Sequence, residues 1–331
     1  MKCRRHFFTK KWGQRNGKKS FIKVFSKHRE TGLALILLVL CVILSVTTKS
    51  FLTVDNFFNI LKQATLVAII AIGQTYVIIA GGIDLSVGYS MTLCSMILAY
   101  SLQAGIPVLA SSVFGIGCSV LVGLVNGILI TTLNIPPFII TLGMANIVKG
   151  IILVMSEGYI CSLSEPLIIN IGQGTVGPVP IMVIILIFLI VIFAFILSQT
   201  VFGNRVKAVG GNELAAELSG IKKNKIRIYV YLLCGLLCGI AGIIITGRLN
   251  GGNPNAAGTY DMDSIAAVVV GGTAMAGGSG SIVGTMLGSL LMILIRNGLV
   301  LLRVNMYWQT VAVGAVIIVV CAIDAMSRRK K

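Results

Sequence analysis

Residues 181–197 read IMVIILIFLIVIFAFIL, seventeen apolar residues without a break. With Val179 and Ser198 at its edges the segment reaches the roughly 20 residues that an α-helix needs to cross a bilayer. A helix at the surface of a soluble domain carries a polar face, and this one has none. The rest of the chain agrees. Of 331 residues, 56% are hydrophobic and only 11% charged, where soluble domains average about 25% charged. Comparable runs lie near 31–48, 63–80, 87–104, 107–133, 137–155, 226–247, 262–278, 280–302 and 306–323. Glycines interrupt 63–104 and 262–302, so these stretches read as re-entrant or discontinuous. The expectation is an all-α polytopic membrane protein with about ten transmembrane helices (8–10), some of them broken.

Charge supplies the orientation. Residues 1–30 hold eleven Lys or Arg against the single acid Glu30. The segment 199–227 holds six (Arg205, Lys207, Lys222, Lys223, Lys225 and Arg227), and SRRKK at 327–331 holds four. Residues 156–178 have no basic residue but carry Glu157 and Glu165. Basic loops remain cytoplasmic. Both termini and 199–227 are therefore placed inside, and 156–178 and 248–264 outside. The organisation expected is a basic cytoplasmic tail (1–30), a transmembrane domain (31–326) with a cytoplasmic loop at 199–227, and a basic tail (327–331). The net charge of +17 is thereby read as topology, and no nucleic-acid partner is expected. The basic stretch leads into a full-length first span rather than a short apolar core, so no signal-peptide cleavage is expected.

Motifs for chemistry are absent. No G-x-x-x-x-G-K-[ST] occurs, so GGSGS at 277–281 is not a nucleotide loop. HExxH, GxSxG and paired-carboxylate sites are missing, and the two histidines, His6 and His28, lie in the basic tail. Cys234 and Cys238 share a helix face but have no His beside them, which reads as small apolar packing rather than a metal site. Neither a cofactor nor catalysis is expected. The charged groups in or near the apolar runs are mainly Asp84, Lys149 and Arg296, too few for the ionisable relay of an ion-driven pump.

The segment 202–229, FGNRVKAVGGNELAAELSGIKKNKIRIY, is the most informative. Gly210 and Gly211 read as a chain break, and Asn212 as the cap of a following helix. Leu214, Leu218 and Ile221 fall at i, i+4 and i+7 as a short apolar stripe, and Gly220 suits the helix end. Such a helix either rests on the membrane surface or docks into a groove on a soluble partner.

The run AVGGNELAAELSGIKKNKIRIYVYLLCGLLCGIAGII closely resembles the permease subunits of bacterial ABC importers of the ribose and monosaccharide type. GGIDLSVG at 81–88, NIPPFIITLGM at 134–144 and DSIAAVVVGGTAMAGGSGSIVGTMLG at 263–288 resemble the same family, in matching order over residues 35–325. The resemblance implies a permease dimer, a cytoplasmic ABC ATPase, and an extracytoplasmic sugar-binding protein. It also implies that Asn212, Glu213, Leu214, Ala215, Ala216, Leu218, Ser219, Gly220 and Ile221 form the element that enters the ATPase groove. Ala215, Ala216 and Gly220 match the A-A-x-x-x-G part of the importer motif, with Glu213 one residue early.

GGIDLSVG remains unusual, because it puts a carboxylate, Asp84, among apolar residues. Gly81 and Gly82 read as the stop of the preceding span, with Asp84 or Ser86 capping the next and Gly88 inside it. GGTAMAGGSGSIVG at 271–284, beginning at Gly271 and Gly272, repeats this chemistry without the acid. Broken helices in corresponding halves point to a translocation path, for which Gln63, Gln74, Thr75, Ser86, Asn126 and Asn146 are candidate lining residues. NGILITTLNIPPFIITLG (126–143) and NGLVLLRVNMYWQTVAVG (297–314) share Asn-Gly, a later Asn and a later Gly, compatible with an inverted repeat. Two readings of Asp84 stay open: a structural cap, or a group facing a polar interior path.

Overall fold

The computed structural model describes residues 29–328; the two basic tails fall almost wholly outside them. Among the described residues the chain forms thirteen helices and two two-stranded ribbons. In order these are α1 (Arg29–Thr47), α2 (Val54–Ile79), α3 (Val87–Gln103), α4 (Val108–Leu133), α5 (Pro137–Ser156), β1 (Cys161–Ser162) and α6 (Pro166–Gln173). There follow β2 (Thr175–Val176), β3 (Val179–Pro180), α7 (Ile181–Gln199), α8 (Val201–Gly211), α9 (Glu213–Leu218) and α10 (Lys223–Leu249). The chain continues with β4 (Gly251–Gly252), α11 (Tyr260–Val270), α12 (Ile282–Leu301) and α13 (Met306–Arg328).

Seven of these helices (α1, α2, α4, α5, α7, α10 and α12) are long and apolar enough to cross a membrane. Seven spans with apolar outward faces make this a multi-pass α-helical membrane protein. Three of the ten expected runs fall outside this set. Residues 87–104 give the 17-residue α3, and residues 306–323 fall within the 23-residue α13. Residues 262–278 give only the 11-residue α11, which stops at Gly271 and continues as an irregular segment to Ser281.

The core is built around α2 and α10. From Ala64 to Ile79, α2 is buried on every side, which explains why its sequence is apolar all round rather than amphipathic. Lipid tails are as apolar as leucine, so helices here gain little by hiding hydrophobic surface from one another and associate through close packing. Small residues make that approach possible. A Cβ placed on Gly123 of α4 would overlap the Tyr231 carbonyl oxygen of α10, and one on Gly235 would crowd the Ser119 carbonyl. On the α11–α12 crossing, Gly284 and Gly288 lie against the carbonyls of Gly271 and Ala267, a small-xxx-small pattern.

The two ends of α10 mark the two ends of the bundle. At its C-terminal end, β1 pairs antiparallel with β4, and Gln173 Nε2 donates to Asn250 Oδ1 at 2.7 Å. The segments 156–178 and 248–264, assigned to one side by charge, thus lie together. At the end where α10 starts, Ser281 Oγ donates to Glu30 Oε1 at 2.5 Å, bringing the start of α1 to the start of α12. A reciprocal amide pair, Asn56 with Asn297 at 2.7 and 3.2 Å, ties α2 to α12.

The α4–α10 contact supplies a clean stability test. Gly123→Leu is expected to cost about 1–3 kcal/mol through overpacking, lowering both the Tm and the yield of monodisperse protein in detergent. Gly117→Leu on the same helix, where a Cβ meets nothing within 4 Å, is expected to leave both unchanged.

Candidate functional site

Two helix breaks and one exposed helix converge at the end of the bundle where α10 begins. The first break follows α2. Gly81, at φ +83°, takes the left-handed turn that closes the helix. Its N–H donates to the Ile78 carbonyl at 2.9 Å, and the Gly82 N–H donates to that of Val77 at 2.9 Å. Gly82 has a packing role as well, since a Cβ there would lie 2.6 Å from the Tyr231 hydroxyl.

Residues 83–85 then run outside either helix inside the protein, where unpaired backbone groups are costly. Side chains supply the partners. The Gln74 amide donates to the Asp84 carbonyl and accepts from the Asp84 N–H at 3.4 Å. The Ile83 carbonyl accepts from the Tyr231 hydroxyl at 3.2 Å and the Thr141 hydroxyl at 3.3 Å. The Asp84 carboxylate, 3% exposed, accepts through Oδ1 from the Ser86 N–H at 2.8 Å and the Ser86 hydroxyl at 2.6 Å. Asn126 Nδ2 completes the chain by donating to Ser86 Oγ at 2.9 Å. Gln74, Asp84, Ser86 and Asn126, chosen separately from the sequence, therefore form one connected knot. Neither Asp84 nor Ser86 caps α3 as expected: Ser86 occupies the cap position but makes no side-chain cap bond, because its hydroxyl is spent on Asp84. Gly88 sits in the first turn of α3 with Ala257 3.4 Å from the site of its missing Cβ.

The second break follows α11. Gly271 ends that helix, and Gly272 takes φ +90°. Turn bonds hold the loop, with Ala274 N–H donating to the Ser279 carbonyl and Gly277 N–H to that of Ala274, both at 2.9 Å.

Gly210 and Gly211 require a correction. They do not break the chain but form the last turn of α8. Their smallness serves contact: a Cβ on Gly210 would overlap the Ile79 carbonyl oxygen and crowd the Gly278 nitrogen at 2.7 Å. The Gly278 N–H itself donates to the Ile79 carbonyl at 2.8 Å. The end of α2, the loop after α11 and the end of α8 thus meet backbone to backbone. Sequence reasoning passed over Gly277 and Gly278 as contact residues; the doubled glycine at 277–278, like those at 81–82 and 210–211, was the available signal.

The next helix, α9, starts on that junction. Asn212 caps it as expected, its Oδ1 accepting from the Ala215 N–H at 3.0 Å. Glu213 pairs with Lys223 at 2.6 Å and Arg227 at 2.8 Å, tying α9 to the start of α10. The Lys223 hydrogen bond, with Arg227 beside it, holds the Glu213 carboxyl below the usual carboxylate range. Ala216 is buried, whereas Leu214 and Leu218 are 67% and 82% exposed. Ala215 and Ser219 bond to each other at the helix end, and Gly220 closes it at φ +79°. Ile221 lies beyond the helix and packs on the core, so the expected three-residue stripe is a two-residue exposed one.

Residues 56–321 match the family described as branched-chain amino acid transport system / permease component. The chain belongs to this permease family. The ribose import permease protein of Bacillus subtilis (strain 168) is 39% identical over 290 residues, 87% of this chain and 90% of its relative. A probable ABC transporter permease protein of Escherichia coli (strain K12) is 39% identical over 305 residues, 92% of each chain. The D-allose transport system permease protein of the same strain is 33% identical over 283 residues, 85% of this chain and 87% of its relative. No solved structure matches. As a permease component the chain is a transport subunit and not an enzyme. All of the broken-helix and α9 residues lie within the matched region.

The Asp84 knot separates charge from hydrogen bonding. Asp84→Ala strands the Ser86 N–H and hydroxyl and is expected to destabilise by about 1–3 kcal/mol, seen as a lower Tm of the purified permease. Asp84→Asn keeps the Oδ1 that accepts from both and is expected to recover at least half of that loss.

Proposed function

We propose that the chain is the membrane permease of an ATP-driven importer for a monosaccharide-like solute, ribose or a related sugar. The observation that carries the motor's location is α9. It offers two exposed leucines, Leu214 and Leu218, one helical turn apart, beside a salt-bridged anchor and outside every candidate span. Large apolar side chains on a six-residue helix are suited to a groove on a soluble partner, here a separate cytoplasmic ABC ATPase. The remaining parts follow the same reading: two permease copies in the inner membrane, a binding protein delivering sugar from outside, and lipid around the spans. Both termini and the α8–α9 segment face the cytoplasm, and α3, α11 and α13 complete about ten crossings. An inverted repeat would relate the two broken regions.

In this mechanism the ATPase pushes on α9, and Glu213 with Lys223 and Arg227 keeps α9 and α10 moving together. The force passes through the Gly210–Gly211 end of α8 to Ile79, where the first break begins, and to Gly278, inside the second. The discontinuities at 81–86 and 271–281 are where the bundle bends, opening and closing a path past Gln74, Asp84, Ser86 and Asn126. The family description names branched-chain amino acids, which keeps such a permease as the second reading; the sugar permeases among the relatives favour a monosaccharide.

The test is uptake of radiolabelled ribose into proteoliposomes holding the permease with its ATPase and binding protein. Accumulation is expected with ATP, and none for the permease alone under a sodium or proton gradient; the opposite pattern would sink the proposal. In the same system Leu218→Glu is expected to leave the permease folded and to weaken ATPase association by at least about tenfold, roughly 1.4 kcal/mol.

A further inference from the structure

At the end of the bundle opposite to α9 lies a recess of about 460 Å³ between α2, α10, α11, α12 and α13, lined among others by Gln63, Arg248, Tyr260, Asp263, Arg296 and Tyr307. Its volume falls within the roughly 300–1,000 Å³ of small-molecule sites. The polar groups come from five separate segments, and a long-range ion pair joins two of them. Arg296 Nη2 reaches Asp263 Oδ1 at 2.8 Å and Thr259 Oγ1 at 2.6 Å, and the Thr259 hydroxyl donates to Asp263 Oδ2 at 2.8 Å. Asp263 is 3% exposed, Arg296 more open. Both contacts of the guanidinium fall on Nη2, which leaves Nη1 and Nε with donors to offer. Val67 and Ile293 and the rings of Tyr260 and Tyr307 supply apolar wall.

We infer that this recess is the station at which the solute first enters the permease, and that it takes a polyhydroxylated molecule. The inference rests on the importer reading above, whose orientation puts this end outside. Fixed donors and amide groups beside aromatic and aliphatic wall match a sugar, which has hydroxyls at its rim and C–H groups on its faces. An ion pair already closed between Asp263 and Arg296 leaves no unpaired carboxylate to attract a cation. The recess also connects to the motor end. Asp263 stands in the first turn of α11, and the last residue of that helix joins the loop whose Gly278 meets Ile79 and Gly210. A shift of that loop moves α11 and with it Asp263, so the station changes shape when the ATPase acts.

Gln63 is the position to vary, because the hydrogen bond found for its side chain is to Asn59 on its own helix, at 3.1 Å and exposed. In proteoliposomes with ATPase and binding protein, Gln63→Trp is expected to lower the maximal rate of ribose uptake by about tenfold or more, while the sugar-loaded binding protein still docks with unchanged Kd. Gln63→Cys, alkylated with a bulky impermeant reagent after assembly, is expected to do the same without any demand on folding, and ribose is expected to slow the alkylation. Unchanged uptake in both variants would overturn the inference. Lost docking would also overturn it, making the recess a socket for the binding protein. Absence of ATP-dependent uptake in the unaltered complex would instead remove the importer reading beneath it.

Discussion

One backbone contact organises the α9 end of this permease. The Gly278 N–H donates to the Ile79 carbonyl at 2.8 Å, and Gly210 lies so close over the pair that a single added carbon would overlap that oxygen. Three segments far apart in sequence are thereby joined main chain to main chain. Side chains between helices act as compliant spacers, because they change rotamer; peptide planes in contact do not. A displacement of α8 therefore moves the end of α2 and the loop after α11 together. Only Asn212 separates α8 from α9, so under the importer reading proposed above the junction is a short route from a soluble partner to both broken helices.

Interrupting helices inside a membrane protein exposes backbone groups that no water can satisfy, and the two breaks solve this differently. Residues 83–86 borrow side chains from α2, α4, α5 and α10, with Asp84 at the centre of the knot. The loop after α11 closes on itself through turn bonds and on α2 through Gly278. The first break is thus pinned by side chains from several helices, and the second includes backbone contacts with α2, α8 and α12.

Much of this was legible in the sequence because local physics decides it. Long apolar runs located the spans, Gly81 with Gly82 stopped α2, and Asn212 capped α9. The doubled glycine at 210–211 misled, because glycine serves both positive φ and close approach, and sequence does not say which. Here the neighbour that demands the small residue, Ile79, is 131 positions away. The same holds for Arg296, whose partner Asp263 lies on another helix, and for the knot, in which Gln74, Ser86 and Asn126 were chosen as polar exceptions without any sign that they touch. Ser86 failed as a side-chain cap because Asp84, two residues before it, claims its hydroxyl.

Hydrogen–deuterium exchange of the assembled transporter, with and without a non-hydrolysable ATP analogue, tests the junction most directly, since exchange reports local opening of hydrogen-bonded backbone. Nucleotide is expected to change protection of α9 and, in the same step, of residues 78–86 and 271–281. Protection that changes in α9 while both breaks stay as they were would contradict a force route through Gly210, Ile79 and Gly278.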